Sequence, residues 1–211
     1  MKVAILGESS ADETAIRILV DAVLGRPTTD PFPQFRKRAS GVEYALKIFP
    51  NYIRHLHRNT EADGFVIVVD SDKTSLHIPA HESKSASETN CRLCDLWRKR
   101  DLVLGELRGR PRPKPLKIAI GLAVPSIEAW FCRIANIHPS EAVWNRALSA
   151  KEFPFDARKL KRELYGTERP SIELESAVMA AEATRIASDL PGIITRFPIG
   201  FGALQRDLGE W

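Results

Sequence analysis

The chain has only three cysteines and two methionines among 211 residues, and no apolar run approaches the ~18 residues that a membrane-spanning helix needs. Three cysteines are too few, and odd in number, for a disulfide framework, and they fit a reducing compartment. The opening "MKVAILGESSADE" carries an apolar stretch much shorter than the roughly 7–15 residues of a signal-peptide core, with acids close behind. A cytoplasmic protein with no membrane contact is expected. There is no internal repeat and no low-complexity tract. No "GxxxxGK[ST]" is present either, so an ATPase would have to be a separate chain. Charge of one sign is also scarce overall, since the net charge is +4. Its distribution is less even. Arg98, Lys99, Arg100, Arg108, Arg110, Arg112, Lys114 and Lys117 stand against only Asp101 and Glu106 in one stretch.

Periodicity supplies the elements. "KVAILG" reads as a strand, and "ADETAIRILVDAVLG" as a helix with Ala15, Ile18, Leu19, Ala22 and Val23 on one face. Ser10 or Asp12 can cap its start; Gly25 and Pro27 end it. Residues 26–40 are Pro-rich and irregular, with "QFRKR" able to form a short edge strand. A helix over 42–57 would bury Tyr44, Ile48, Tyr52, Ile53 and Leu56, and a strand follows at 65–69. Residues 73–88 read as a loop, 89–107 as a helix, "LKIAIGLAV" as a strand, and "IEAWFCRIA" as a helix capped by Ser126. From 139 onward come helices separated by Pro and Gly, ending in an amphipathic one at 201–208. Strands alternating with helices, and strands that are continuous apolar runs, predict an α/β fold with a parallel sheet buried on both faces. The expected division is an α/β domain over 1–137 and a helical extension over 138–211 packed on it. Trp97, Trp130, Trp144 and Cys132 are expected in the core.

Parallel sheets bind ligands at the carboxyl ends of their strands. In "GFVIVVDSDKTS" (64–75) an apolar strand runs straight into Asp70 and Asp72. The first strand leads to Glu8, and the last to Glu128 in "PSIEAW". If those strands are neighbours, four carboxylates meet at one sheet edge. Unpaired, they would repel and their pKa values would rise. A hard divalent cation, Mg²⁺ or Mn²⁺, removes that conflict with all-oxygen ligation. The plain alternative is that each acid merely complements a helix N-terminus.

This ordered set resembles the topoisomerase–primase (TOPRIM) domain: Glu after the first strand, D-x-D after a later one, Glu after "PS" following the next. The nearest likeness is to the small stand-alone TOPRIM proteins related to the OLD (overcoming lysogenization defect) nucleases, many of them encoded with bacterial anti-phage systems. "PSIEAW" and the closing "FGALQRDL" are similar to elements of that group. The resemblance covers roughly residues 1–135. It implies a TOPRIM-like α/β fold and a nuclease of DNA or RNA in which Glu8, Asp70, Asp72 and Glu128 bind Mg²⁺ and carry the chemistry. It also implies a basic residue assisting, for which Lys73, Lys159 and Lys161 are candidates, and an ATPase partner. The family has Glu-Gly where this chain has Gly7-Glu8, so Glu13 is the alternative first acid. A non-catalytic partner subunit that binds nucleic acid or an ATPase is the second expectation. "VIVVDSDKTS" also resembles the haloacid-dehalogenase phosphatase signature, with Asp70 as the nucleophile. That motif, however, usually opens its domain and needs a later acidic pair that is missing here.

Two further patterns stand out. His77, His81, Cys91 and Cys94 follow H-x₃-H and C-x₂-C spacing, a ligand set for a structural Zn²⁺ that would pin the loop over 73–95. Alternatively the cysteines are small hydrophobes at a helix start. "LRGRPRPKP" contains the core of an AT-hook, and Arg108, Arg110, Arg112 and Lys114 suit phosphate contacts, with "RKR" at 36–38 adding to them. The alternative there is a solvated, Pro-stiffened connector.

Overall fold

A computed structural model of the chain describes residues 1–31, 41–84, 86–109, 112–132 and 138–211. The three apolar runs become three strands, β1 (Val3–Leu6), β2 (Gly64–Asp70) and β3 (Lys117–Ala123), in one sheet of order β1-β2-β3. Both pairings are parallel: Leu6 lies opposite Ile67, and Asp70 opposite Ala123. Every residue of β1, and β2 from Gly64 to Val69, is buried, which is why these strands read as unbroken apolar runs.

Helix α1 (Ser10–Leu24) follows β1, and α2 (Val42–Asn59) precedes β2. After β2 come a 3₁₀ turn (Pro79–His81), a short α3 (Ala86–Thr89) and α4 (Arg92–Leu107), which leads to β3. Then follow α5 (Glu128–Phe131), α6 (Glu141–Ala150), α7 (Ala157–Tyr165), α8 (Ile172–Ala187), α9 (Leu190–Arg196) and α10 (Gly200–Gly209). α1 and α10 cover one face of the sheet and touch each other; α2 and α4 cover the other. On the α2 face Phe65 packs its ring 5.7 Å from Phe49 and 5.1 Å from Tyr52. On the opposite face Gly121 leaves room for Leu204 of α10. Asp207 of α10 also accepts the Ile120 N–H of edge strand β3 at 3.0 Å. The C-terminal helices thus complete the sheet's cover, with α8 lying along α1.

Several local expectations change. α1 is capped by Ser9 in a reciprocal capping box with Asp12, not by Ser10 or Asp12 alone, and it buries Ala11, Ala15, Ile16, Leu19 and Val20. Its apolar stripe is wide because α8 covers what the sheet does not. α2 buries Ala45 and Phe49 in place of Tyr44 and Ile48. The expected 89–107 helix splits at Asn90, whose φ of 44° is left-handed, so α4 begins after an N-cap at Cys91. Ser126 is not a helix cap; α5 is a single turn with Ile127 at its N-cap position, and Ser126 hydrogen-bonds a carboxylate instead. Trp130 and Trp144 are fully buried and Trp97 is partly so. "QFRKR", "RKR" and Arg110 lie outside the described residues. No helix among the described residues is long and apolar enough to cross a membrane.

Candidate active site: an acidic cleft at the carboxyl ends of the strands

Because β1, β2 and β3 are adjacent, their carboxyl ends bring Glu8, Asp70 and Glu128 together. They line a cleft of about 260 Å³ shared with Ser9, Asp12, Gly41, Ser126, Ile127, Ala157, Lys161 and Glu175. Local folding positions each acid. Gly7 lets α1 start close behind β1, since a Cβ there would lie 2.9 Å from the Asp12 Cβ. Glu8 Oε1 accepts the Asp70 N–H at 2.8 Å, and Asp70 Oδ1 accepts the Ile127 N–H at 2.9 Å. The Ser126 hydroxyl donates to Glu128 Oε2 at 2.5 Å. A backbone N–H at or just past the end of each later strand therefore orients the acid of the strand before it.

Electrostatics set this cleft apart. Burial pushes the Asp70 carboxyl well above the usual carboxylate range, and the charges of Glu8, Glu128 and Asp12 push it further. Glu8 is raised by burial too, with its hydrogen bond from Asp70 opposing and Asp72 and Glu128 adding. Asp12 is pushed up to about 7 by burial and then by Glu128, against its bonds to Ser9. Among the described residues, Lys161 is the one cation lining the cleft. Lys161 Nζ lies 3.5 Å from Glu128 Oε1 and 3.2 Å from Glu175 Oε1, and although burial opposes it, these two acids raise the lysine's pKa. Burial and the charges of Glu128 and Glu175 also raise Tyr165, so the phenol keeps its proton.

The structure divides the expected D-x-D pair. Residues i and i+2 share a face only while a strand continues. β2 ends at Asp70, and Asp72 sits beyond it at φ 49°, its N–H bonded to the Pro125 carbonyl at 2.8 Å. Its side chain is 53% exposed and pairs with Arg92 at 3.0 Å, so Asp72 stands at the rim rather than among the cleft residues. Arg92 also donates to the Asp70 carbonyl. Glu13 lines a different cavity with Arg17 and Asp21, so of the two candidates Glu8 is the one that lines the cleft. Of the three candidate lysines only Lys161 reaches the cleft. Lys159 bonds the Pro154 carbonyl at 2.9 Å, and Lys73 lies 5.5 Å from the Phe153 ring centroid. Asp12 and Glu175 are cleft residues that spacing did not single out as site acids. The "S-x-x-D" signature of the capping box, at Ser9 and Asp12, was the available signal for the first.

A second group lies beside the cleft. One ligand atom from each of His77, His81, Cys91 and Cys94 falls within 4.8 Å of the others. Among the described residues this is the one set of three or more His, Cys, Asp or Glu side chains gathered that closely. His77 Nδ1 is 3.2 Å from Cys94 Sγ and 4.0 Å from Cys91 Sγ. His81 Nδ1 is buried without a hydrogen-bond partner. Burial, then Cys91, pushes the Cys94 thiol up to about 12, and burial lowers His77. The three cysteines are unbridged, and Cys132 is buried on its own, as expected. The group could hold a metal ion.

The basic loop lies elsewhere. Arg108 closes α4, and Arg112 and Lys114 precede β3, so they sit at the amino ends of the strands. Seven residues of β2 at about 3.3 Å each separate that edge from the acids by roughly 20 Å. Arg112 donates to the Ala62 and Thr60 carbonyls at 2.8 and 3.4 Å, bracing the turn before β2. Lys114 reaches Asp63 at 4.0 Å. A larger cavity of about 930 Å³ opens here, lined by Lys2, Arg58, Glu61, Asp63, Arg112 and Lys114 among others. It is bigger than the acidic cleft, but its shifted groups, Lys2 raised and Glu61 lowered, form one exposed ion pair, whereas burial and like charge raise the acids of the smaller one, which makes the smaller one the candidate for chemistry.

Comparison of the chain with protein-family models, with curated proteins and with solved structures finds no match to any of them.

Proposed function

We propose that the acidic cleft is the active site of a Mg²⁺- or Mn²⁺-dependent, TOPRIM-like nuclease that cleaves phosphodiester bonds of DNA or RNA. The observation that carries this reading is the meeting of Glu8, Asp70 and Glu128 at the carboxyl ends of three adjacent parallel strands, with burial and mutual repulsion raising Glu8 and Asp70. An all-carboxylate donor set under such strain fits a hard divalent cation. A bound Mg²⁺ would offset charge developing on the phosphoryl oxygens. The residues' own contributions follow from their contacts. Ile127 N–H and Ser126 Oγ fix the carboxylates of Asp70 and Glu128. Lys161 supplies a positive charge where a substrate phosphate would enter, and Asp12, near neutrality in its pKa, can hold or release a proton beside it.

The same environment weighs against Asp70 as a phosphatase nucleophile, because a carboxyl that tends to keep its proton is a poor one. One observation favours a non-catalytic partner subunit as the second reading. Arg92 neutralises Asp72 and takes one acid from the set. An ATPase partner and an anti-phage role belong to the first reading through the TOPRIM resemblance. The His/Cys group, with two nitrogens and two sulfurs, suits zinc in a structural role.

The test is cleavage of single- and double-stranded DNA and RNA by the purified chain with Mg²⁺ or Mn²⁺. Asp70→Asn, nearly isosteric, should lower the rate by about 100-fold or more while the fold is kept. Undiminished cleavage by that variant would overturn the site, and inactivity of the wild type with both metals would favour the partner-subunit reading.

A further inference from the structure

The His/Cys group is placed where it can act on the acidic cleft. His77 and His81 lie on the segment that leaves the 70–72 turn, whereas Cys91 and Cys94 belong to the start of α4. Arg92 stands between the two cysteines. Its side chain, 14% exposed, turns toward the cleft and donates to Asp72 Oδ2 at 3.0 Å and to the Asp70 carbonyl. The neck of the loop is closed by the Ser75 N–H on the Asn90 carbonyl at 3.1 Å.

Among the described residues, little apolar burial holds that loop. Leu76 is buried, but Ile78 is 49% exposed and residues 79, 80 and 82–84 are exposed or nearly so. Beside Leu76, what the loop and the start of α4 bury there is His77, two thiols, and a histidine nitrogen with no partner. Buried polar atoms without partners destabilise a fold unless a ligand satisfies them. Four donor atoms already within 4.8 Å are a ligand set that an ion, displacing the thiol protons, completes with little rearrangement.

Resting on the zinc reading of this group, we infer that Zn²⁺ bound by His77, His81, Cys91 and Cys94 anchors Arg92 against the 70–72 turn, so that the ion sets the rim of the acidic cleft. Zinc ties the loop to the first turn of α4, the first turn of α4 aims Arg92, and Arg92 holds the turn through a backbone carbonyl and the Asp72 carboxylate. The metal group and the acids are then one device in which a structural ion positions a charged clamp.

The experiment needs no nuclease assay. The full chain, purified without chelator, should carry one zinc, and Co²⁺ in its place should give the visible absorption of a tetrahedral site with thiolate ligands. Cys94→Ser should lose both, and Arg92→Met should keep both. Amide hydrogen exchange over residues 70–76 should quicken by about 10-fold or more on zinc removal, and likewise in zinc-loaded Arg92→Met, with α10 unchanged as the internal control. A chain that takes up no zinc overturns the zinc reading and the inference with it. Zinc binding with unchanged exchange at 70–76, either after removal of the ion or in Arg92→Met, overturns the inference alone. Zinc binding with the expected changes supports both.

Discussion

The acidic cleft and the His/Cys group flank the same turn, yet they are gathered to different degrees. Four histidine and cysteine ligand atoms lie within 4.8 Å of one another, and the carboxylates do not form so tight a set. Charge explains the contrast. A protonated thiol and a neutral imidazole can touch without cost, whereas carboxylates brought equally close would repel at several kcal/mol in a partly buried site. The cleft instead spreads its acids, gives them backbone and hydroxyl donors, and places Lys161 among them. Pre-assembly without an ion is therefore open to soft neutral ligands and closed to hard anionic ones. The two sites can both be metal sites and still look unlike each other before metal arrives.

A raised carboxyl pKa does not by itself mark a metal site, and Glu141 separates the two causes. It is buried at the start of α6, accepting the Ile199 and Gly200 N–H groups at 2.8 and 2.6 Å. Burial alone pushes it up to about 7, with those bonds and Arg206 opposing. In the unfolded chain it releases its proton near 4.5, so between pH 4.5 and 7 the folded state binds more protons. The stability from this group is fully present below pH 4.5 and is lost as pH rises through 7, on the order of 3 kcal/mol. Urea midpoints measured across that range should fall less steeply in Glu141→Gln than in the wild type. Mg²⁺ should leave this difference untouched, since no other acid contributes to the shift. If Mg²⁺ removes the difference, Glu141 belongs with the cleft acids and the contrast fails.

Lys161 gives the next largest effect. It is about one-third exposed and pairs with Glu128, which is nearly buried, and with Glu175. Lys161→Met keeps the stem's packing and leaves two acids without their cation. Breaking a fully buried pair costs about 3–5 kcal/mol; here, with partial exposure, about 2 kcal/mol is expected. The variant should regain part of that loss when Mg²⁺ or Mn²⁺ is added, because a divalent cation supplies the missing charge to the same acids. Thermal unfolding with and without the metal reads it directly. A loss that no divalent cation offsets would mean that Lys161 serves α7 and α8 rather than the cleft.

What the sequence showed follows from the same physics. A parallel strand buried on both faces leaves an apolar run, so β1, β2 and β3 were legible, and with them Glu8, Asp70 and Glu128. The sequence places Asp72 just past the strand but does not show that its own left-handed backbone leaves its side chain at the rim, paired with Arg92. Lys161 could not be told from Lys73 or Lys159 by spacing, and only the packing of α7 brings Lys161 to Glu128 and the cleft. Glu175 sits in "IELES" of α8, which reads as a solvated face until that helix lies against α1. The His/Cys set was legible because ligand type and close spacing survive any path that the loop takes. The location of "RGRPRPKP" was also readable, since a loop that leads into a strand cannot lie at that strand's carboxyl end.

That location yields the smallest predicted effect. Arg112 and Lys114 sit roughly 20 Å from the acids, as the length of β2 dictates. Arg112 is spent on the Thr60 and Ala62 carbonyls, and Lys114 is exposed near Asp63. Arg112→Ala should therefore cost about 1 kcal/mol, by freeing two partly buried carbonyls, and should leave any cleavage rate per bound substrate unchanged. Lys114→Ala should cost next to nothing in stability. If this edge does contact phosphates, the double variant will weaken nucleic-acid binding evenly across sequences and flatten its salt dependence by about one to two units of slope. Binding measured at several salt concentrations, set beside single-turnover cleavage, separates a remote docking edge from a brace. A fall in the single-turnover rate would instead bring this edge into the chemistry and end the separation between the two ends of the sheet.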